Sequence, residues 1–360
     1  MSQQQTIVVG AGIIGASIAW HLARAGRPAT VLDTSAPGGL ATAASWAWIN
    51  ASAGNPEPYV RLRMRSMALW RELGSALPDL GVTWSGGLLW DLPGDTLEAF
   101  ATEHAAWGYP VRLVDRREIA AFEPHLANPP ERAAHVAIEG AVEPVHAANV
   151  LLNAAMALGV RVISGRRALA LKSDGSRITG IDTESGTLQA DEVIVAAGVG
   201  APALLATVGI DLPLDAPPGL LVVSKPAEPL LAGLVMAPEL HMRQRRDGCL
   251  IAGADFGGTD PGANPAGAAE ETFDAMRRLL RGGSALAFDH FTLGDRPTPS
   301  DGFPAIGRPD GISGLYVAVM HSGVTLAPAV GRFAADEIVS GCRDPLLAPY
   351  GLSRFAAASV

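Results

Sequence analysis

The segment Thr6–Val9 is a short β-branched run that ends abruptly in Gly10-Ala11-Gly12-Ile13-Ile14-Gly15 and continues into the apolar-periodic stretch Ala16 to Ala25. The order reads as strand, glycine turn, helix. Gly26 stops the helix, and Pro28 to Asp33 reads as a second short strand ending in an acid. This β-α-β unit, complete within about thirty residues, sets the N-terminus on a Rossmann-type path with a parallel sheet.

The same residues carry a chemistry. Gly10 permits a tight turn, Gly12 lets backbone approach a pyrophosphate, and Gly15 lets the helix pack on the strand. The helix N-terminus then offers unpaired N–H groups and a partial positive charge to phosphates. Asp33, 18 positions beyond Gly15, stands where an acid accepts hydrogen bonds from ribose hydroxyls. Its other reading is a solvated strand end. An acid there disfavours a 2′-phosphate, so FAD or NAD is expected in preference to NADP.

At 360 residues the chain exceeds the usual single-domain range, and two interlocked domains are expected. A net charge of −9 gives no basic footprint for nucleic acid or an anionic membrane, which turns the expectation toward a small-molecule substrate. Cys249 and Cys342 stand in unrelated contexts, with neither metal-ligand spacing nor a disulfide framework, so no metal is expected and a reducing cytoplasm fits. The opening Met-Ser-Gln-Gln-Gln lacks a basic region before its apolar run, and no apolar stretch reaches about 18 residues without a polar break.

Further along, Pro56 to Leu77 is helical, with Leu62, Leu69 and Trp70 on one side. Val82 to Trp90 and Val111 to Val114 read as strands separated by a helix around Thr96 to Trp107. The proline- and charge-rich stretch Glu123 to Arg132 is expected to cross between domains. Val145 to Gly159 reads as a helix, Val160 to Ile163 as a strand, and Asp191 to Gly198 as a buried strand returning to the parallel sheet. Strands at Leu220 to Ser224 and Cys249 to Gly253, a helix at Glu270 to Arg281, a strand at Gly314 to Val319 and a helix at Thr325 to Ser340 complete the chain. The expected division is a discontinuous dinucleotide-binding domain of residues 1–80, 140–205 and 291–360, with 81–139 and 206–290 forming a substrate-binding domain.

Set beside Glu139-Gly-Ala-Val-Glu-Pro144, Ala190 to Gly198, and Arg296-Pro-Thr-Pro-Ser-Asp-Gly-Phe-Pro-Ala-Ile-Gly307, the N-terminal unit resembles the D-amino acid oxidase superfamily. The glycine oxidase, sarcosine oxidase and amino acid dehydrogenase branch is the most similar. The likeness runs over nearly the whole length in the same order, and the last block, followed by His321-Ser-Gly-Val-Thr-Leu-Ala-Pro-Ala-Val-Gly331, is its most specific part. The resemblance implies an α/β fold: a Rossmann-type FAD-binding domain with an inserted α+β substrate domain. It places Ile13, Ile14, Asp33 and Thr34 at the adenosine and pyrophosphate, and Ala168 where backbone meets the adenine. Ala41, Thr42, Trp46, Ala47 and Trp48 fall alongside the flavin ring, with core packing the other reading of the two tryptophans. Ala197, Gly198, His321 and Ser322 join the cofactor set, and Gly323, Val324 and Thr325 bring helix N-terminal N–H groups to the flavin N1–O2 edge.

Two departures bear on chemistry. Some members tether FAD through a cysteine shortly before the motif matching Arg296-Pro297; Gly294 lies in that region here, so the FAD is expected to be noncovalent. Glycine oxidases place an arginine just after the histidine matching His321, where this chain has Ser322-Gly323 in a shorter loop. Arg296 matches the family's carboxylate-binding arginine, whose planar fork holds a carboxylate bidentately. His241 aligns with a pocket-lining tyrosine and shares a strand face with Arg243, although a buried structural histidine fits equally. The implied reaction is oxidation of a C–N bond of an amino acid or related amine by hydride transfer to flavin N5, giving an imine that hydrolyses to an oxo acid. An NAD-dependent dehydrogenase and a flavin-holding subunit of a larger complex are the alternatives. A homo-oligomer or a heteromeric partner is compatible with either.

Overall fold

The computed structural model describes residues 5–254 and 260–356, so the opening Met-Ser-Gln-Gln lies outside the described residues. Thr6–Val9 forms a strand at the centre of a six-stranded sheet, in the order Ala305–Gly307, Leu315–Val319, Glu192–Val195, Thr6–Val9, Thr30–Leu32, Arg161–Ile163. All neighbours are parallel except the first pair. The four central residues are buried on both faces, which is what a β-branched run without alternation requires.

Helices cover that sheet. Ile13–Arg24 lies against the long helix Gly323–Ser340, so closely that a Cβ at Gly331 would meet Ser17 Oγ at 2.2 Å. Ser17 Oγ uses the approach to donate to the carbonyl of Ala327 at 2.7 Å. Helix Pro144–Met156 packs on the other side of Ile13–Arg24. The helix begins at Ile13, three residues before the apolar periodicity, because the glycine turn itself supplies its N-cap at Gly12.

An eight-stranded, mostly antiparallel sheet forms the second layer, in the order Phe288–Asp295, Pro218–Ser224, Leu250–Gly253, His241–Gln244, Leu234–Met236, Gly87–Leu89, Arg132–Val136, Val111–Asp115. Helices Arg116–Phe122 and Pro265–Leu279 bury Ile119, Phe273 and Met276 against it. The α/β class and this pairing of a Rossmann-type layer with an α+β layer agree with the sequence reading.

Three details differ from it. The stretch 123–132 joins helix Arg116–Phe122 to strand Arg132–Val136 within the eight-stranded layer, pinned by a bridge from Leu126 to Leu280. The crossing comes later, where Gly140–Ala141 pairs with Trp48–Ile49. Of 82–90, only Gly87–Leu89 is a strand, because Gly86 turns the chain at φ 74° and Thr83 bridges Ala141 instead. Among the described residues, no helix is long and apolar enough to cross a membrane.

Candidate functional site

A cavity of about 680 Å³ opens at the carboxyl ends of the parallel strands, the place where α/β sheets bind ligands. One end is built by the first β-α-β unit. Gly10 has φ 107°, and a Cβ there would meet the carbonyl oxygen of Ala196 at 2.2 Å, so only glycine allows the two strand ends to close. A Cβ on Gly15 would meet Gly10 O at 1.9 Å; Gly15 sits beneath the turn and does not line the cavity. Gly12, Ile13 and Ile14 do.

The helix start is capped from a distance, since Ile13 N–H donates to Thr42 Oγ1 at 3.1 Å. Asp33 Oδ2 accepts from Ala11 N–H at 2.6 Å, while Oδ1 accepts from the N–H and hydroxyl of Ser35 at 2.8 and 3.0 Å. The carboxylate therefore ties the glycine turn to the loop after the second strand, and still faces the cavity beside Thr34 and Ala168. Neither purely solvated nor purely a ligand, it is a structural hinge of the site.

The opposite end combines the loop Ala41 to Ser52 with the start of helix Gly323–Ser340. Ala41, Thr42, Trp46, Ala47, Trp48, Ala197, Gly198, Arg296, His321, Ser322, Gly323, Val324 and Thr325 all line the cavity. Ser322 caps the helix in the left-handed region at φ 54° without a side-chain cap. Thr325 Oγ1 donates to Trp48 O at 2.9 Å and accepts from Asn50 N–H at 3.3 Å, fastening the loop to the helix. Arg296 is half-buried at the wall, with Nε and Nη2 each 3.4 Å from the carbonyls of Pro217 and Pro218.

His241 is placed elsewhere. It is buried, 2.9 Å from Asp91 Oδ2, and packs its ring 6.0 Å from that of Trp46, which lines the cavity while His241 does not. Strand alternation indicates its face but not its depth. Arg243 is likewise behind the wall, donating to Trp46 O at 2.7 Å and to Glu143 at 2.8 Å.

Sequence reasoning did not single out a polar group that supports the wall. Glu139 is fully buried and accepts from Trp48 Nε1 at 2.9 Å, Ser52 Oγ at 2.8 Å and the Tyr109 hydroxyl. Burial pushes its carboxyl up to about 7 against the opposing pull of these donors and of Arg63. Arg63 itself lines the cavity and holds Asn50 and Ser322. A signal for it exists: Tyr59, Arg63, Ser66 and Trp70 fall three and four residues apart on the buried stripe of helix Glu57–Ala76.

The donor set fits a flavin dinucleotide: a glycine turn closed by sterics, an uncapped helix terminus, an acid at the second strand and an apolar middle. Among the described residues no group of three or more His, Cys, Asp or Glu is placed to hold a metal. The sequence profile of the DAO family, described as FAD dependent oxidoreductase, matches residues 5–337. The chain is 27% identical to the glycine oxidase of Bacillus licheniformis over 343 residues, covering 93% of this chain and 92% of that protein. It is 28% identical over 427 residues to the D-amino acid dehydrogenase of Cereibacter sphaeroides, covering 98% and 95%. The crystal structure of glycine oxidase from Geobacillus kaustophilus superposes with a TM-score of 0.89 at 26% identity, covering 98% of both chains. The match selects FAD over the nicotinamide alternative, and the chain belongs to the DAO family of FAD-dependent oxidoreductases.

Proposed function

We propose that the chain oxidises the C–N bond of an amino acid or related amine, giving an imine that water converts to an oxo acid. The observation that carries the reading is the convergence of Arg296 with the uncapped start of helix Gly323–Ser340 on one cavity, whose other end is the glycine turn and Asp33. Asp33, Thr34, Ile13, Ile14 and Ala168 would hold the adenosine and pyrophosphate, and the loop Ala41 to Trp48 would flank the ring. FAD, when bound, supplies a two-electron acceptor. Arg296 grips the substrate carboxylate with its planar fork and so fixes the direction of the Cα–H bond. Positioning supplies most of the catalysis, because a neutral amine drives loss of hydride from its own carbon without a strong protein base. The apolar tryptophan wall keeps water from the reacting carbon.

The flavin is held without a covalent bond in this reading. A side chain at position 294 would have its Cβ 2.3 Å from that of Ala44, so the strand Phe288–Asp295 leaves no room for a tether there.

The test is anaerobic bleaching of the yellow protein by a panel of amino acids, with hydrogen peroxide measured in aerobic parallels. Arg296→Met is expected to remain yellow and folded but to lose reduction by amino acids, with Arg296→Lys recovering only part. Near wild-type reduction in Arg296→Met overturns the carboxylate assignment.

A further inference from the structure

Arg63 presents a guanidinium sealed inside the protein at 6% exposure. A buried charge is costly unless a counter-charge meets it. The other buried arginine among the described residues, Arg243, has Glu143 at 2.8 Å. Among the described residues the hydrogen-bond partners of Arg63 are neutral: the Asn50 carbonyl at 3.0 Å, Asn50 Oδ1 at 2.6 Å and Ser322 Oγ at 3.0 Å. These bonds engage three of the five guanidinium N–H groups. The Tyr59 ring, 5.2 Å away, adds a face and not a charge. The buried carboxyl that feels its field, Glu139, is reached through Ser52, whose hydroxyl donates to Glu139 at 2.8 Å and whose N–H donates to Asn50 Oδ1 at 3.0 Å.

Arg63 also lines the cavity, together with Asn50, Ser322 and Gly323, and no described acid bonds to it there. There it meets the first turn of an 18-residue helix whose N-cap, Ser322, makes no side-chain cap bond. Guanidinium and helix terminus thus sum to one region of positive potential on a single wall.

We propose that Arg63 is the fixed cation of the flavin site: together with the start of helix Gly323–Ser340 it stabilises the negative charge that an incoming hydride, two electrons and one proton, brings to the pyrimidine edge of the ring, and so raises the flavin's potential. The inference rests on the functional reading given above, which sets that edge against residues 322–325. Charge near this edge is one of the levers by which a protein tunes a flavin, and a preorganised cation in a water-poor site acts strongly. Asn50 and Ser322 serve to aim the fork, since three bonds fix its plane. The oxidised ring is neutral, so Arg63 matters to the reduced state far more than to the oxidised one.

The experiment compares the two-electron midpoint potential of bound FAD, by dye equilibration, in the wild-type holoprotein, Arg63→Gln and Arg63→Lys. Gln keeps a hydrogen-bonding head without charge, whereas Lys keeps charge without the fork. Arg63→Gln is expected to retain oxidised FAD but bind the reduced form at least about tenfold less well relative to it, a fall of about 30 mV. Arg63→Lys is expected to recover at least half of that shift. A reduced-to-oxidised affinity ratio in Arg63→Gln within about twofold of wild type overturns the proposal, as does loss of oxidised FAD by both variants, which would make Arg63 a strut of the wall. Failure of the functional reading looks different: a wild-type chain that holds no flavin, or whose flavin no amino acid reduces, takes both readings down. An unchanged potential in a holoprotein that amino acids do reduce removes only the role of Arg63.

Discussion

Glu139 gives the most quantitative handle on the cavity wall built by Trp48 and Ser52. Its carboxyl is held near 7 by burial, against an ordinary value of 4.5, so the folded chain binds this proton more tightly than the unfolded chain does. The sign follows from proton linkage: the extra stability is fully present below about pH 4.5 and is lost as pH rises toward 7, with no further change above. At 1.36 kcal/mol per pH unit, that interval corresponds to about 3 kcal/mol, a large fraction of ordinary folding stability.

Glu139→Gln removes the titration while keeping the size of the side chain. The amide cannot accept from both Trp48 Nε1 and the Ser52–Tyr109 pair at once, so a loss of about 1–3 kcal/mol is expected at pH 5. That deficit is expected to shrink from pH 5 to about 7 and then level off, because only the wild type carries the cost of ionising the buried group. The assay is urea unfolding of both proteins with FAD in fixed excess, reading the difference between them at each pH. Titrations elsewhere are common to both and cancel. A difference that stays constant from pH 5 to 8 refutes the reasoning, since it would mean Glu139 ionises alike in the folded and unfolded chains.

Asp33→Ala removes the acceptor for Ala11 N–H and both Ser35 donors, so FAD retention is expected to weaken by about 1.5–3 kcal/mol with a measurable fall in the stability of the flavin-free chain; equilibrium dialysis and thermal melts check the two halves. Acid precipitation of the holoprotein is expected to leave yellow flavin in the supernatant, and a yellow pellet would contradict noncovalent attachment. Gly15→Ala forces a methyl to 1.9 Å from a backbone oxygen and is expected to destabilise the fold by about 1–3 kcal/mol or more, measured by thermal melts.

Much of this site is legible because its signals are local. The glycine turn, the strand before it and the acid after it lie within one stretch of chain, and steric closure at Gly10 and Gly15 reflects pressures that any β-α-β unit applies. The helix read at Thr325 to Ser340 begins two residues earlier, at Gly323, and its facing terminus is implied by the family resemblance and not by a local signal. What the sequence conceals is depth. His241 reads correctly as a strand residue, yet its distance from the cavity depends on Asp91, 150 positions away, and on the ring of Trp46. Arg63 falls on the buried stripe of its helix, but an arginine there ordinarily marks a solvent face, and its partner Ser322 lies 259 positions on. The within-layer course of 123–132 is concealed because proline and charge mark any irregular connection, whether within a layer or between layers.

The two non-glycine residues with positive φ among those described are Ala47 at 62° and Ser322 at 54°, and both line the cavity. Conformations of this kind cost of order 1–3 kcal/mol each and persist only where the surroundings over-determine them. Here they are over-determined from both layers. Around Ala47, Arg243 holds the carbonyl of Trp46 at 2.7 Å and Thr325 holds that of Trp48 at 2.9 Å, one from the eight-stranded sheet and one from helix Gly323–Ser340. Around Ser322, Arg63 reaches in from helix Glu57–Ala76 and the carbonyl accepts from Leu326 N–H at 3.1 Å. The loop Ala41 to Ser52 and the start of helix Gly323–Ser340 are therefore one clamped unit of the cavity wall, joined through Thr325 and Asn50. A wall fixed in this way presents its charges and N–H groups already aimed, so the stabilisation of developing charge needs no reorganisation during reaction.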